Sequence, residues 1–163
     1  MNEEMEEKRD HARIFPPYAE EFLKTDPEFM QRVSHFAFDE VVNQGSLNQP
    51  TRFMAVMAAL IGAQLLDEFR ALLPAALENG VTPVQAKEVV YQAAAYCGLG
   101  QMLPFLKATN DLLLERGVVL PLPPMATDTP ENRQEAGNEI QVQIYGEGKR
   151  GSYAAGPEER RHL

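Results

Sequence analysis

The side chains able to do chemistry in this chain are few, and the most promising lie between residues 52 and 97. Glu68 and Glu88 are the two carboxylates of interest. A carboxyl group taken out of water has its pKa raised by desolvation, and can then trade protons as a general acid or base. Asp67 stands beside Glu68 and shares that option. Against this, Asp67 and Glu68 also fit a solvated helix face, and Glu88 fits an ion pair with Arg52 or Lys87 near a helix start. Cys97 is the one cysteine, which leaves no internal disulfide and no Cys-x-x-Cys redox pair. Its place at an expected helix C-terminus opposes thiolate formation and favours an inert buried thiol. Tyr91 and Tyr96 read either as pocket hydroxyls or as half-buried aromatics. With Arg52, Gln64, Leu72 and Cys97 they make up the expected pocket lining. His11, His35 and His162 are scattered without metal-ligand spacing. No phosphate loop, Gly-x-Gly-x-x-Gly or Ser/His/Asp pattern occurs. No metal or organic cofactor is implied.

These residues need helices to position them. The run from Arg52 to Leu66 is almost unbroken in apolar residues, with Asn48 as a cap and Gly62 as an interruption or a close-approach point. It predicts a helix buried on most sides. Asp67–Asn79 continues helical, with Phe69, Leu72, Leu73, Ala76 and Leu77 inward and a kink or break near 70–73 ahead of Pro74. Gly80 then suits a left-handed helix stop, and Thr82-Pro83 with Gln85 suits a capping box. A stop and a start this close predict a tight helical hairpin. The helix from Pro83 ends at Cys97-Gly98, and another runs from about Gly100 to Arg116, with Leu103, Leu106, Leu112 and Leu113 apolar.

Upstream, residues 1–14 offer little to bury and read as a frayed arm. Pro16-Pro17 breaks any helix, and a short one fits Tyr18–Lys24. Asp26-Pro27 opens a helix with a capping carboxylate, and Phe29, Val33, Phe36, Ala37 and Val41 form one apolar stripe up to Gly45. Downstream, residues 118–125 are a proline-rich extended connector. Thr129-Pro130 caps a helix through about Tyr145. Residues 147–156 read as a flexible glycine joint, and 157–163 as one opening helical turn. No strand pattern appears, so the expected class is all-α.

The runs Ala75-Ala76-Leu77-Glu78-Asn79-Gly80-Val81-Thr82-Pro83, Lys87-Glu88-Val89 and Tyr96-Cys97-Gly98 resemble the carboxymuconolactone decarboxylase family. The likeness continues back to Thr51-Arg52 and forward to Asn110-Asp111-Leu112-Leu113. The resemblance implies the all-helical fold shared with the alkyl hydroperoxidase D family. It also implies homo-oligomers built on dimers, up to trimers of dimers, and cofactor-free chemistry on a small carboxylated lactone or related acid. Peroxidase relatives use a Cys-x-x-Cys pair and a histidine. Laid over this chain through Asn79-Gly80, those positions fall on Leu65, Glu68 and Leu72. The decarboxylase branch usually keeps the same histidine, so Leu72 departs from both branches. Glu88 matches a glutamate common in the family. The segment Arg133–Gly146 resembles the opening helix of another such domain, as in longer members that carry two in tandem. It reads equally as an arm that packs on a neighbouring subunit.

A length of 163 residues suits one ordinary domain, able to bury about two-thirds of its unfolded surface. A net charge of −9 argues against a nucleic-acid or anionic-membrane surface. The charged N-terminus has no apolar signal core, and the longest apolar run falls short of the roughly 20 residues that span a bilayer. A soluble, cytoplasmic protein is expected. The expected organisation is an arm at 1–17, a helical domain at 18–117, a connector at 118–129 and a helical segment at 130–163. Three functions follow. The chain is a decarboxylase-like enzyme using Glu68 or Glu88, a catalytically degenerate oligomeric or interaction protein of the family, or a peroxidase-like antioxidant, which the missing cysteine pair disfavours.

Overall fold

The computed structural model describes residues 17–155, so the expectations for residues 1–14 and 157–163 lie outside the described residues. Among the described residues there are eight α-helices and no strand. The protein is an all-α bundle of the alkyl hydroperoxidase D-like kind. Two compact units divide the chain, residues 1–122 and 123–163.

In the first unit, a 3-10 turn at Pro17–Glu21 leads into the short α1 (Phe22–Thr25) and α2 (Pro27–His35). Pro27 takes the first helical position, but the Asp26 carboxylate does not cap α2. It accepts instead from the Thr25 hydroxyl at 2.6 Å. One π turn, Phe36–Glu40, joins α2 to α3 (Val41–Gln44). The expected stripe is displaced by one residue. Met30 and Ser34 are buried, whereas Phe29, Phe36 and Val41 are exposed and Val33 and Ala37 half-buried. The extra residue of a π turn breaks the 3.6-residue phase on which a single stripe depends.

The core is built from the next four helices, α4 (Gln49–Gly62), α5 (Leu66–Glu78), α6 (Pro83–Cys97) and α7 (Leu99–Glu115). Asn48 caps α4, its Oδ1 accepting from the Thr51 N–H at 2.9 Å. Against expectation, α4 is not buried on most sides. It buries Met57 and Ile61 and leaves Ala55, Val56, Ala58 and Ala59 exposed, because within one chain its main partners are α5 and α6 on one flank. Gln64 turns the chain in the left-handed region, φ 61°, and its amide Nε2 donates to the Ile61 carbonyl at 2.7 Å. That bond offsets part of a backbone preference worth about 1–2 kcal/mol.

No break occurs near 70–73, since α5 runs through Pro74. An internal proline costs about 3 kcal/mol. Burying Phe69, Leu72 and Leu73, at about 1.5–3 kcal/mol each, outweighs it. Phe69 also meets Phe105 edge to face, ring centroids 5.2 Å apart.

The hairpin joint forms as its residues predict. Gly80 has φ 94°, and the Val81 N–H reaches back to the Ala76 carbonyl at 3.0 Å while the Gly80 N–H faces Leu77. Thr82 Oγ1 accepts from the Gln85 N–H at 3.2 Å, and Gln85 Oε1 accepts from the Thr82 N–H at 2.9 Å. α7 packs on both α6 and α5, burying Met102, Phe105, Ala108, Thr109 and Leu113. Leu103, expected inside, is 49% exposed. Arg116 ties α7 to α5 through Glu78 at 2.9 Å.

In the second unit, α8 (Arg133–Tyr145) begins later than Thr129-Pro130. Those residues form a lead-in turn in which the Thr129 N–H donates to Asn132 Oδ1 at 2.6 Å. The glycine-rich segment after it holds two 3-10 turns, Glu147–Lys149 and Ser152–Ala155. Asn138 of α8 ties it down, donating to the Lys149 carbonyl at 2.7 Å and accepting from the Gly151 N–H at 2.8 Å.

Candidate functional site

Leu65, Glu68 and Leu72, the positions onto which the sequence resemblance lays the reactive groups of the peroxidase relatives, lie at the start of α5 and along it. Leu65, just before the helix, Glu68 in its first turn and Leu72 follow the i, i+3, i+7 spacing of one helix face. The face runs inward. Leu65 is 42% exposed, Glu68 is half-buried and partnered, and Leu72 is 2% exposed within the core. Asp67 sits on the outer side and pairs with Arg70 at 3.2 Å. Leu72, the position expected to match that imidazole, is thus a packed hydrocarbon with no proton to give.

The remaining candidates do not gather around that face. Arg52 donates to the Val42 and Leu47 carbonyls, at 2.9 and 3.4 Å, and so fastens α3 and the following loop to α4. Gln64 is spent on the Ile61 carbonyl. Glu88 is exposed and makes no ion pair with Arg52 or Lys87. Tyr91 is half-exposed, and Tyr96 is 89% exposed, so its hydroxyl faces solvent rather than an enclosed space. Cys97 is half-buried against the core at the C-terminal end of α6. Helical phase explains the separation. Glu88, Tyr91, Gln92, Ala95 and Tyr96 follow the outer arc of α6, while Ala86 and Val90 take the inner one.

Lys87 and Asn110 are among the interior polar groups that the sequence reading did not place there. Lys87 is buried, with its ammonium 5.6 Å from the Tyr91 ring centroid, a cation–π contact in place of the expected carboxylate. Asn110 of α7 keeps a buried Oδ1 without a hydrogen-bond partner. The signal was the helical period: Lys87 adjoins Ala86 and Val90, and Asn110 falls between Leu106 and Leu113. Among the described residues no three His, Cys, Asp or Glu side chains come together to hold a metal ion. No helix among them is long and apolar enough to cross a membrane.

Comparison with known proteins agrees with this architecture. The model of the carboxymuconolactone decarboxylase family matches residues 27–111, from the start of α2 into α7. A 4-carboxymuconolactone decarboxylase of Acinetobacter baylyi is 35% identical over 91 residues, which cover 56% of this chain and 68% of that protein. No solved structure gives a significant match. The matched stretch holds the whole hairpin joint, its capping box and the helix that bears Leu72, and on this ground the chain belongs to the carboxymuconolactone decarboxylase family.

Proposed function

We propose that the chain is an assembly-forming member of its family in which the histidine- and cysteine-dependent chemistry of the reactive relatives has been lost. Leu72 carries this reading. A leucine at 2% exposure occupies the histidine position, and no imidazole stands elsewhere on that helix. The apolar residues left uncovered on one chain support a homo-oligomer, built on dimers. Val56, Leu99 and Leu103 are each at least 41% exposed.

A second reading keeps catalysis. It is favoured by the likeness to a decarboxylase and by the half-burial of Glu68 beside Leu72 on one helix face. In that reading the substrate is a small carboxylated lactone. As CO2 leaves, the electron pair of the broken carbon–carbon bond stays on carbon and takes a proton from the Glu68 carboxyl group, which water then restores.

One experiment separates the two. The purified chain is sized by light scattering and offered 4-carboxymuconolactone while CO2 release is followed. A discrete oligomer without turnover supports the assembly reading. Turnover that Glu68→Gln abolishes overturns it in favour of catalysis.

A further inference from the structure

The π turn Phe36–Glu40 contains an arrangement of charges that family membership does not explain. His35 closes α2, and its ring stands between two carboxylates. Nδ1 lies 3.0 Å from Glu40 and Nε2 lies 3.3 Å from Asp39. A neutral imidazole has one N–H and one lone pair, so only the doubly protonated ring is attracted to both.

The two contacts respond differently to the backbone. In an α-helix, 3.6 residues per turn place i+4 beside residue i but turn i+5 about 140° away. A π turn, closed by i→i+5 bonds, moves i+5 alongside. Here the Val41 N–H donates to the Phe36 carbonyl, the mark of that register. The Asp39 contact therefore suits either register, whereas the Glu40 contact depends on the π turn.

We propose that His35 and Glu40 form a protonation-sensitive latch that holds the Phe36–Glu40 segment in its π register when the imidazole is charged and releases it toward a regular α-helix when it is neutral. Among the described residues, the other charges on the elements packed against the turn are few. Arg32, one turn before His35, is paired with Glu28 at 2.8 Å. Asp39 also accepts from the Asn43 amide at 2.8 Å, and α3 carries no ionisable side chain. Because Arg52 pins the Val42 carbonyl to α4, the end beyond the turn stays fixed. Loss of the extra residue would turn α2 by about 100°, the angle of one helical residue. That motion re-aims Phe29 and Phe36, now 65% and 60% exposed, and so sets which way the apolar side of α2 faces.

The test reads the register directly, as the NMR coupling across the Val41 N–H to Phe36 carbonyl hydrogen bond in the isotope-labelled, deuterated full chain. The range is about pH 5 to 8, where imidazoles titrate. The coupling should be present at the acid end, fall by more than half at the alkaline end, and follow the titration of the His35 ring. Glu40→Ala should abolish that pH dependence while the ring still titrates, and His35→Gln should abolish it as well. A coupling that stays constant while the ring titrates, whether present or absent throughout, overturns the latch. So does a pH dependence that Glu40→Ala leaves intact.

Discussion

At position 72, onto which the family resemblance lays an imidazole, the structure has a leucine sealed to 2% exposure. That placement is an expectation from the sequence, counted back from the Asn79-Gly80 joint. Its consequence is one of packing. Leu72 touches the same cluster as Phe69, Leu73, Met102 and Phe105, so it works as a core residue rather than as a pocket wall. Leu72→Ala should then cost about 2–5 kcal/mol in urea unfolding, the range for a truncated core leucine. A loss under about 1 kcal/mol would place Leu72 against open space and revive a ligand site there. The carboxylates are the counter-example. Glu68 and Glu88 look alike as letters, yet one is half-buried and the other exposed, because they fall on different helices at different phases.

Among the elements, the hairpin joint between α5 and α6 was the most legible, since each of its residues has a local reason. Gly80 is required twice over, by φ 94° and by an added Cβ that would meet Pro50 Cγ at 3.1 Å. Thr82→Ala removes one cap bond, worth about 1 kcal/mol. Gly80→Ala should lower the urea midpoint further, since it adds a close contact to a strained backbone. The reverse order of the two midpoints would show that the joint relaxes freely. The segment after α8 titrates in a definite direction. Glu147 has its carboxyl pKa lowered, first by its hydrogen bond to Arg150 and then by that residue's charge. A carboxyl depressed in the folded state stabilises it above the ordinary glutamate range, and the effect fades as pH falls through the lowered value. Amide protection at residues 150 and 151 should therefore drop on acidification below the ordinary value of 4.5. In Arg150→Ala that extra acid sensitivity should vanish; if it persists, another group is responsible.

At the scale of the whole molecule, large apolar residues are exposed in both units. In the second unit Ile140, Ile144 and Tyr145 are 57%, 65% and 69% exposed along α8. A helix this short gains most of its stability from packing an apolar face, which fits the proposal of an assembly arm. Removal of residues 118–163 should then lower the solution mass measured by light scattering, or cause precipitation. An unchanged mass and thermal midpoint would instead show that the remaining helices assemble without it. That result would favour the tandem-domain reading of the segment.

The sequence by itself determined the helical class, the stops and caps at Asn48, Gly80 and Thr82, and the family, because each rests on short-range backbone preferences or on an ordered string of letters. Only the tertiary structure decided which faces are covered. Pro74 stays helical because long-range burial outweighs its local cost. The stripe of α2 is displaced because one extra residue in a π turn shifts the phase of everything before it. α4 keeps a bare apolar side and Lys87 is buried over Tyr91 because burial depends on which neighbours arrive in space, and hydrophobic pattern alone does not specify them.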